Sequence, residues 1–277
     1  MADFGFITSL IFLLYSSLLL QHLQITEGKL DNHLRSRTDR DRSSSSSHID
    51  HMDPELNVFF HYKNLKLGNK MKIYFPKKDL SKSPHFLSKH ESDSIPFSSS
   101  HLSYILQLFS FPEGSKQALA MKDTLHHCEF PPIRGESKFC ATSLESMLDS
   151  IIGIFGLSSK FKVLTTTYLT EIITPLQNYT VFEDPIKIST PMIIGCHTLP
   201  YPYAVFYCHG QVSDNKLYKV LLAGEDGGRV EAIAICHMDT SQWDSDHVAF
   251  RVLKTVPGAS PVCHFFPSDN LVWVPVS

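Results

Sequence analysis

The stretch that decides the fold is residues 203–237, YAVFYCHGQVSDNKLYKVLLAGEDGGRVEAIAICH. It contains three runs rich in β-branched and aromatic residues, which predict strands over 203–209, 217–223 and 230–237. The sequence GEDGG at 224–228 separates the last two runs and is a strong hairpin-turn signal. Strands joined by a hairpin pair antiparallel, so this stretch predicts an antiparallel sheet.

The segments on either side of this stretch predict the fold class. Three more runs have strand composition: Phe161–Thr167, Val248–Leu253 and Pro261–Phe266. Ahead of them, three segments have the apolar spacing of helices: His101–Phe109, Ser115–His127 and Leu144–Phe155. Because the helices precede the strands, the sequence predicts an α+β fold, with N-terminal helices followed by a mainly antiparallel β-sheet region.

The helix predicted over Leu144–Phe155 has the clearest boundaries. Its apolar residues follow the i, i+3, i+4, i+7 rule of an amphipathic helix. Thr142 and Glu145 form a capping-box signature at its start, and Gly153 and Gly156 mark its end. We therefore expect this helix to begin after Thr142 and to bury one apolar face.

The first 26 residues predict a secretory signal peptide. Residues 4–20 are uncharged, and they are short for a membrane span once Ser and Thr are discounted. Their N-terminal position fits a signal peptide, with an uncleaved anchor as the alternative. No second apolar run approaches spanning length, so we expect no membrane contact after signal cleavage. The secretory route implies an oxidising compartment, where the six Cys residues are expected to pair.

Residues 27–57 predict a disordered polar spacer, and the folded domain is expected at 58–277. The spacer is rich in Ser, Asp and Arg and almost free of apolar residues, so burial cannot offset its ordering entropy. The whole chain carries 25 Lys and Arg against 28 Asp and Glu, a formal charge of −3. This near-neutral balance gives no general electrostatic reason to bind nucleic acid.

Four Cys-His dipeptides form the most informative motif. They use four of the six Cys residues and lie in the last third of the chain: Cys196-His197, Cys208-His209, Cys236-His237 and Cys263-His264. There is no Cys-x-x-Cys or His-x3–5-His spacing among them, so they match no zinc finger. The alternative for any single histidine is local hydrogen bonding at the end of a strand. The set of four favours a metal site.

Strand geometry separates the two residue types of each dipeptide. Neighbouring side chains on a strand point to opposite faces, so Cys208 falls with Phe206, and His209 falls with Tyr207. A Cys and its adjacent His are therefore expected to belong to different sets. The four Cys would form two disulfides, and the four His would offer neutral imidazole nitrogens to copper or zinc.

The remaining Cys residues, Cys128 and Cys140, bracket a loop of eleven residues. A disulfide there would stabilise the fold by about 3 kcal/mol through the entropy of the unfolded chain. We expect this bridge, with free buried thiols as the alternative. The four Cys of the dipeptides allow three pairings, and the sequence does not choose among them.

Two other features are functional candidates. Asn178 begins the chain's single N-glycosylation sequon, Asn178-Tyr179-Thr180, which we place in a polar loop between strands. Trp243 and Trp273 each follow a Cys-His pair. Core packing is the favoured interpretation for both tryptophans, and a substrate platform is the alternative.

Six segments around these residues resemble the plant BURP domain family. They are IPFSSSHL at 95–102, CATSLESMLD at 140–149, QNYT at 177–180, YPYAVFYCHG at 201–210, AICHMDTSQW at 234–243 and SPVCHFFP at 260–267. With the four spaced Cys-His pairs, the resemblance covers about residues 58–275. The short N-terminal region without repeats is similar to the seed-protein and microspore-embryo branches of the family.

This resemblance implies two kinds of function. Most members are secreted or vacuolar plant proteins linked to seed development, stress or cell walls, without a defined reaction. Some are copper-dependent peptide cyclases that oxidatively link a Tyr or Trp side chain within a peptide, often one carried on the same chain. The histidines of their Cys-His pairs bind copper, which corresponds here to His197, His209, His237 and His264.

The spacer argues against self-cyclisation, because residues 27–57 contain no Tyr and no Trp. The leading hypothesis is therefore a non-catalytic glycoprotein of the apoplast or the vacuole, associated with seed or embryo development, stress or cell-wall components. The second hypothesis is a copper-dependent cyclase that acts on a separate peptide. The sequence does not indicate the oligomeric state.

Overall fold

The computed structural model describes residues 57–76, 79–171, 174–211 and 214–276. The predicted signal peptide, and the spacer up to residue 56, lie outside the described residues. The described strands are β1 (Phe59–His61), β2 (Lys70–Tyr74), β3 (Glu136–Ala141), β4 (Lys160–Leu164), β5 (Thr167–Tyr168), β6 (Leu176–Val181), β7 (Ile186–Ile188), β8 (Ile194–Leu199), β9 (Val205–Gln211), β10 (Asn215–Gly224), β11 (Arg229–His237), β12 (Val262–Phe266) and β13 (Leu271–Val276). The described helices are α1 (Lys89–Ser94), α2 (Leu102–Leu108), α3 (Lys116–Glu129), α4 (Leu144–Phe155) and α5 (Val248–Leu253).

The strands form two antiparallel sheets. The large sheet has eight strands in the order β1-β12-β11-β10-β6-β2, with β5 paired to β11 and β7 paired to β10. The small sheet has five strands in the order β3-β9-β8-β13-β4. The predicted hairpin is present, because β10 and β11 pair from Asn215 opposite His237 to Ala223 opposite Arg229.

The large sheet curls around its own apolar core. The backbone N–H of Tyr74, at the end of β2, donates to the carbonyl of Asn57, which precedes β1 at the other edge, at 3.0 Å. Inside the curl, Phe265 stacks on Phe60 with a centroid distance of 4.5 Å and contacts Phe75 at 5.7 Å. Burial of these rings, with the other apolar residues of the same cluster, stabilises the large sheet.

The small sheet is sandwiched between helix α4 and the large sheet. Met147 and Ile151 of α4 are fully buried in a cluster with Phe206 and Trp273 of one sheet face. The opposite face packs Val272 and its neighbours against the large sheet. A Cβ atom on Gly195 would lie 2.8 Å from a ring carbon of Phe266, so glycine is needed for the two sheets to approach here.

Much of the predicted secondary structure is present, but the predicted separation of helices from strands is wrong. Helices α2, α3 and α4 lie within or close to the three predicted helical segments. However, β1 and β2 precede every described α-helix, β3 separates α3 from α4, and α5 lies among the last strands. The described fold is mostly antiparallel β-sheet with a few helices and three disulfides.

The strand predicted over Val248–Leu253 is a helix, α5. The imidazole Nδ1 of His247 accepts a hydrogen bond from the backbone N–H of Ala249 at 3.2 Å and caps the helix. A short apolar run can form either a strand or a buried helix, and periodicity alone does not separate the two. Here Phe250 is buried in a small cluster with Val262 of β12, and this tertiary packing favours the helix.

The cap of α4 is also displaced by one residue from the prediction. Ser143 is the N-cap, and its side chain and that of Ser146 bond reciprocally to each other's backbone N–H at 3.0 and 3.1 Å. Thr142 and Glu145 therefore do not form the capping box, whereas Gly156 ends the helix as expected with a positive φ of 95°. No helix in the described part of the chain is long and apolar enough to cross a membrane.

Candidate metal centre

All six Cys residues of the chain form disulfides: Cys128–Cys140, Cys196–Cys208 and Cys236–Cys263. The first is the bridge expected from the sequence. The other two join residues that face each other on neighbouring strands, Cys196 and Cys208 on β8 and β9, and Cys236 and Cys263 on β11 and β12. Strand pairing therefore selects one of the three pairings that the sequence leaves open.

The four histidines of the Cys-His pairs meet between the two sheets. His197 and His209 come from the small sheet, and His237 and His264 come from the large sheet. The ring of His197 lies 5.6 Å from the ring of His209 and 5.6 Å from that of His264, centroid to centroid. The rings of His237 and His264 stack at 5.5 Å. Cysteine and histidine thus form two separate sets, as strand alternation predicts.

The His237–His264 pair has the spacing of two ligands of one metal ion. Their Nε2 atoms face each other at 3.4 Å. Two imidazole nitrogens bound tetrahedrally at about 2.0–2.1 Å from a metal lie about 3.3 Å apart. Imidazole is a ligand that suits copper and zinc. Among the described residues, no three His, Cys, Asp or Glu side chains are grouped around one point.

Polar side chains from strands β3 and β10 and from the residue before β13 orient three of the four imidazole rings. The Nδ1 atom of His209 lies 3.0 Å from Oε1 of Glu136, and that of His237 lies 3.0 Å from Oδ1 of Asn215. The Nδ1 atom of His197 lies 3.1 Å from Nδ2 of Asn270. Such partners orient the ring of a metal-binding histidine and set which nitrogen carries the proton.

Burial keeps the centre of the cluster neutral. His237 and His264 are 7% and 8% exposed. Desolvation, with a smaller contribution from neighbouring imidazoles, lowers the pKa of His237 to about 3 and holds the pKa values of His197 and His264 well below the usual range. Neutral imidazole is the form that binds a metal, so these rings are available as ligands at mildly acidic pH.

The carboxylate of Glu136 is the acidic group in contact with the cluster through His209. Burial alone would raise the pKa of Glu136, but hydrogen bonds from His209 and from the backbone N–H of Ile133 lower it overall. Glu136 is therefore an anion at neutral pH and accepts a hydrogen bond from the ring of His209. This arrangement is a carboxylate–histidine pair of the kind that supports metal ligands.

The cluster lines a cleft of about 610 Å³. Aromatic side chains form much of its wall: Phe59, Phe130, Tyr207, Trp243 and Phe266. The ring of Trp243 lies 4.9 Å from that of His237. Trp273 instead packs in the core beneath the small sheet, as favoured from sequence, whereas Trp243 lines the cleft. A cleft of this volume suits a small ligand or an amino-acid side chain.

Sequence reasoning missed the residues that orient the histidines. Glu136 is 73 residues from His209 in sequence, and Asn270 is 73 residues from His197. Only the pairing of distant strands brings them together, so no local pattern marks them. The sequon residue Asn178 lies on strand β6 and not in a loop, is exposed, and donates to both carboxylate oxygens of Glu225 at 3.1 and 3.2 Å.

Comparison with known proteins places this geometry in a family. The family model for the BURP domain matches residues 58–275. The chain is 45% identical over 267 residues to BURP domain-containing protein BNM2A of Brassica napus, covering 93% of this chain and 94% of that protein. It is 48% identical over 227 residues to BURP domain protein USPL1 of Arabidopsis thaliana, covering 80% and 81%. It is 40% identical over 226 residues to BURP domain protein RD22 of Arabidopsis thaliana, covering 80% and 57%. With its paired cysteines and its histidine cluster between two sheets, the chain belongs to the BURP domain family.

Proposed function

We propose that this protein binds copper at its histidine cluster and oxidatively links an aromatic side chain within a separate peptide. The observation that carries the proposal is the position of the cluster. The imidazoles lie in a cleft of about 610 Å³ with aromatic walls, where a side chain of a peptide can reach them. A purely structural set of histidines would need no such access.

The cleft changes the order of the two hypotheses drawn from sequence. The absence of Tyr and Trp from residues 27–57 argues against a reaction on the protein's own spacer. It does not argue against a reaction on another peptide. A cleft bordered by Trp243, Tyr207 and Phe59 offers flat apolar faces against which a phenol or indole ring packs favourably.

The chain's own residues account for metal binding. His237 and His264 supply the pair of facing nitrogens. His197 lies next to His264, and His209, oriented by Glu136, lies next to His197. The amide oxygen of Asn215 holds Nδ1 of His237, which leaves Nε2 directed at His264. Copper bound there would supply one-electron transfer between an aromatic ring and O2.

The overall reaction balances with O2 as the oxidant. The peptide loses one hydrogen from its phenol or indole ring and one from a second C–H or N–H, and a new bond joins the two atoms. The two electrons and two protons released reduce O2 to hydrogen peroxide. The product is therefore lighter than the substrate by two hydrogen atoms.

A non-catalytic role in seeds or cell walls is the second candidate. The observation that favours it is that no three potential ligands are grouped around one point among the described residues. In both candidates the protein follows the secretory pathway to the apoplast or vacuole. The pairing of all six cysteines supports this route, because disulfides persist in oxidising compartments.

The deciding experiment uses the purified full-length protein. Copper content is measured, and the copper-loaded protein is incubated in air with synthetic peptides that contain Tyr or Trp. We expect peptides lighter by two hydrogen atoms by mass spectrometry, and no product with His237→Ala. The matched control is His90→Ala, which changes an exposed histidine on α1. Copper binding without any change in peptide mass would contradict the cyclase activity and support the non-catalytic role.

The secretory route is tested at Asn178. Expressed in plant cells, the protein should migrate faster in gel electrophoresis after removal of N-linked glycans. The variant Asn178→Gln should already migrate at that position. A wild-type protein that is insensitive to glycan removal would contradict glycosylation at this sequon.

A further inference from the structure

The described lining of the cleft contains a single lysine or arginine, Lys138. Apart from the histidines, the other charged side chains of this lining are the carboxylates of Glu136 and Asp244. Neither carboxylate forms an ion pair with Lys138 in the described part of the chain. Glu136 instead lies 3.0 Å from Nδ1 of His209, and Asp244 accepts a hydrogen bond from the backbone N–H of Asp246 at 2.9 Å. The cation of the cleft is thus in contact with neither of these anions.

Two aromatic rings and a backbone carbonyl hold the ammonium of Lys138 in place. Its Nζ atom lies 5.6 Å from the ring centroid of Phe130 and 5.4 Å from that of Tyr207. It also donates a hydrogen bond to the backbone carbonyl of Phe130. An ammonium has three N–H donors, so two remain for a ligand. Both rings line the cleft, so the ammonium is presented at its wall.

A disulfide fixes the segment that carries this arrangement. Cys128, in the last turn of α3, is bonded to Cys140 on β3, and the loop between them contains Phe130 and Lys138. Strand β3 pairs with β9, which places Lys138 opposite His209. The lysine therefore cannot move away from the histidine cluster unless the crosslink or the strand pairing breaks.

Partial burial strengthens the attraction of this cation for an anion. Desolvation lowers the pKa of Lys138, and the charge of Glu136 opposes part of this shift. The carboxylate of Glu136 is itself held by His209 and by the backbone N–H of Ile133 at 3.0 Å. Because water solvates the ammonium incompletely, an incoming anion gains more here than on an open surface. The two aromatic rings add cation–π attraction but no negative charge.

The distance to the histidine cluster determines where the anion belongs on a substrate. The ring centroid of Tyr207 lies 5.4 Å from Nζ of Lys138 and 5.0 Å from the ring centroid of His209. The ammonium is therefore at most about 10 Å from that imidazole, the length of three extended residues. A carboxylate on the aromatic residue itself, or on a neighbouring residue, can contact Lys138 while the aromatic ring lies near the histidines.

We propose that Lys138 binds a carboxylate and makes the protein selective for peptides with an anion beside the reacting Tyr or Trp. The carboxylate is either the C-terminal group of the peptide or the side chain of an adjacent acidic residue. Both sources have the same chemistry, and the two N–H groups left on the ammonium can bind either one. Phe130 and Tyr207 act as positioning residues for the ammonium. The inference deepens the proposed function and rests on it for the reaction that follows binding.

The first test measures binding alone, by calorimetry on the full-length protein. Treatment with a chelator ensures that no copper is present to bind the carboxylate. N-acetyltyrosine is compared with N-acetyltyrosinamide for the C-terminal source, and N-acetyl-aspartyl-tyrosinamide with N-acetyl-asparaginyl-tyrosinamide for the side-chain source. We expect the acidic member of at least one pair to bind at least about fivefold more tightly, and that pair identifies the source. No preference in either pair, or no measurable binding of the acidic ligands, would overturn the inference.

Variants of Lys138 separate a direct contact from a structural role. Lys138→Met keeps a long side chain without the charge, so it should abolish the preference and leave the affinity for the uncharged ligand unchanged. Lys138→Arg keeps the cation and should keep the preference. The matched control is Lys216→Met, because Lys216 lies 5.2 Å from the ring centroid of Tyr62, outside the cleft lining, and this variant should behave as wild type. An equal loss of affinity for both ligands of a pair in Lys138→Met would refute the direct contact.

This inference and the proposed function fail separately. A preference that depends on Lys138, without loss of two hydrogen atoms from any peptide, would contradict the cyclase reaction and support the carboxylate site. Peptides that lose two hydrogen atoms, without a preference for carboxylates in either pair, would support the reaction and refute the role of Lys138.

Discussion

The buried histidines make the metal-free protein sensitive to mild acid. The pKa of His237 is about 3 in the folded state because the ring is desolvated, whereas an unfolded histidine has a pKa of about 6.5. Well above pH 6.5 neither state carries the proton, and the group contributes nothing to the pH dependence. Between the two pKa values only the unfolded state binds the proton. The free energy of unfolding therefore falls as the pH falls through this window.

The magnitude follows from linkage. Each pH unit well below the unfolded pKa costs about 1.36 kcal/mol per histidine that stays neutral when folded. From pH 7.5 to 5.0, His237 alone should lower the free energy of unfolding by about 2 kcal/mol. Burial also lowers the pKa values of His197 and His264, so their contributions add to that of His237. This window lies above the pH range in which most carboxylates titrate.

Urea unfolding of the chelator-treated protein at several pH values from 7.5 to 5.0 measures this effect. His237→Gln removes one titrating ring and should reduce the loss of stability between these limits by about 2 kcal/mol. The control variant His90→Gln changes an exposed ring on α1, and its stability should depend on pH as that of the wild type does. Identical pH slopes for wild type and His237→Gln would refute the reasoning that burial keeps this ring neutral.

Three further outcomes are expected. Cys236→Ala should lower the free energy of unfolding by about 2–5 kcal/mol because it breaks a disulfide, and His237→Ala should lower it by less. Only His237→Ala should lose most of the copper affinity. Equal free energies of unfolding in urea for the two variants would contradict this expectation. Glu136→Ala should weaken copper binding about 10- to 100-fold by calorimetry, because the ring of His209 loses its acceptor. Thiol counting on the unfolded, unreduced protein should find no free thiol, since all six Cys residues are paired.

Strand periodicity was sufficient to predict the most important feature of the site. Because successive side chains on a strand alternate, the dipeptides had to divide into a cysteine set and a histidine set. The sequence could not predict that the histidine set lies between two packed sheets, because this depends on which strands are neighbours. The pairing of Cys196 with Cys208 follows only once β8 is known to lie beside β9.

The errors also have physical causes. The run over Val248–Leu253 is short and apolar, and such runs take the structure that tertiary packing favours. The early strands β1 and β2 are too short to give a clear periodic pattern, although they close the curl of the large sheet. Glu136 and Asn270 have no sequence signature because their roles depend on contacts between distant strands.

Because Cys and His are adjacent, the alternation of side chains along a strand decides which of them faces the core and which faces the cleft. A point substitution in β8, β9, β11 or β12 can remove either a sulfur or an imidazole, but it cannot exchange them. Inserting or deleting one residue ahead of such a dipeptide within its strand would turn that strand over. A thiol would then enter the cleft and an imidazole would enter the apolar core. A one-residue shift in any of these strands would cost the protein a disulfide and an imidazole of the cluster together.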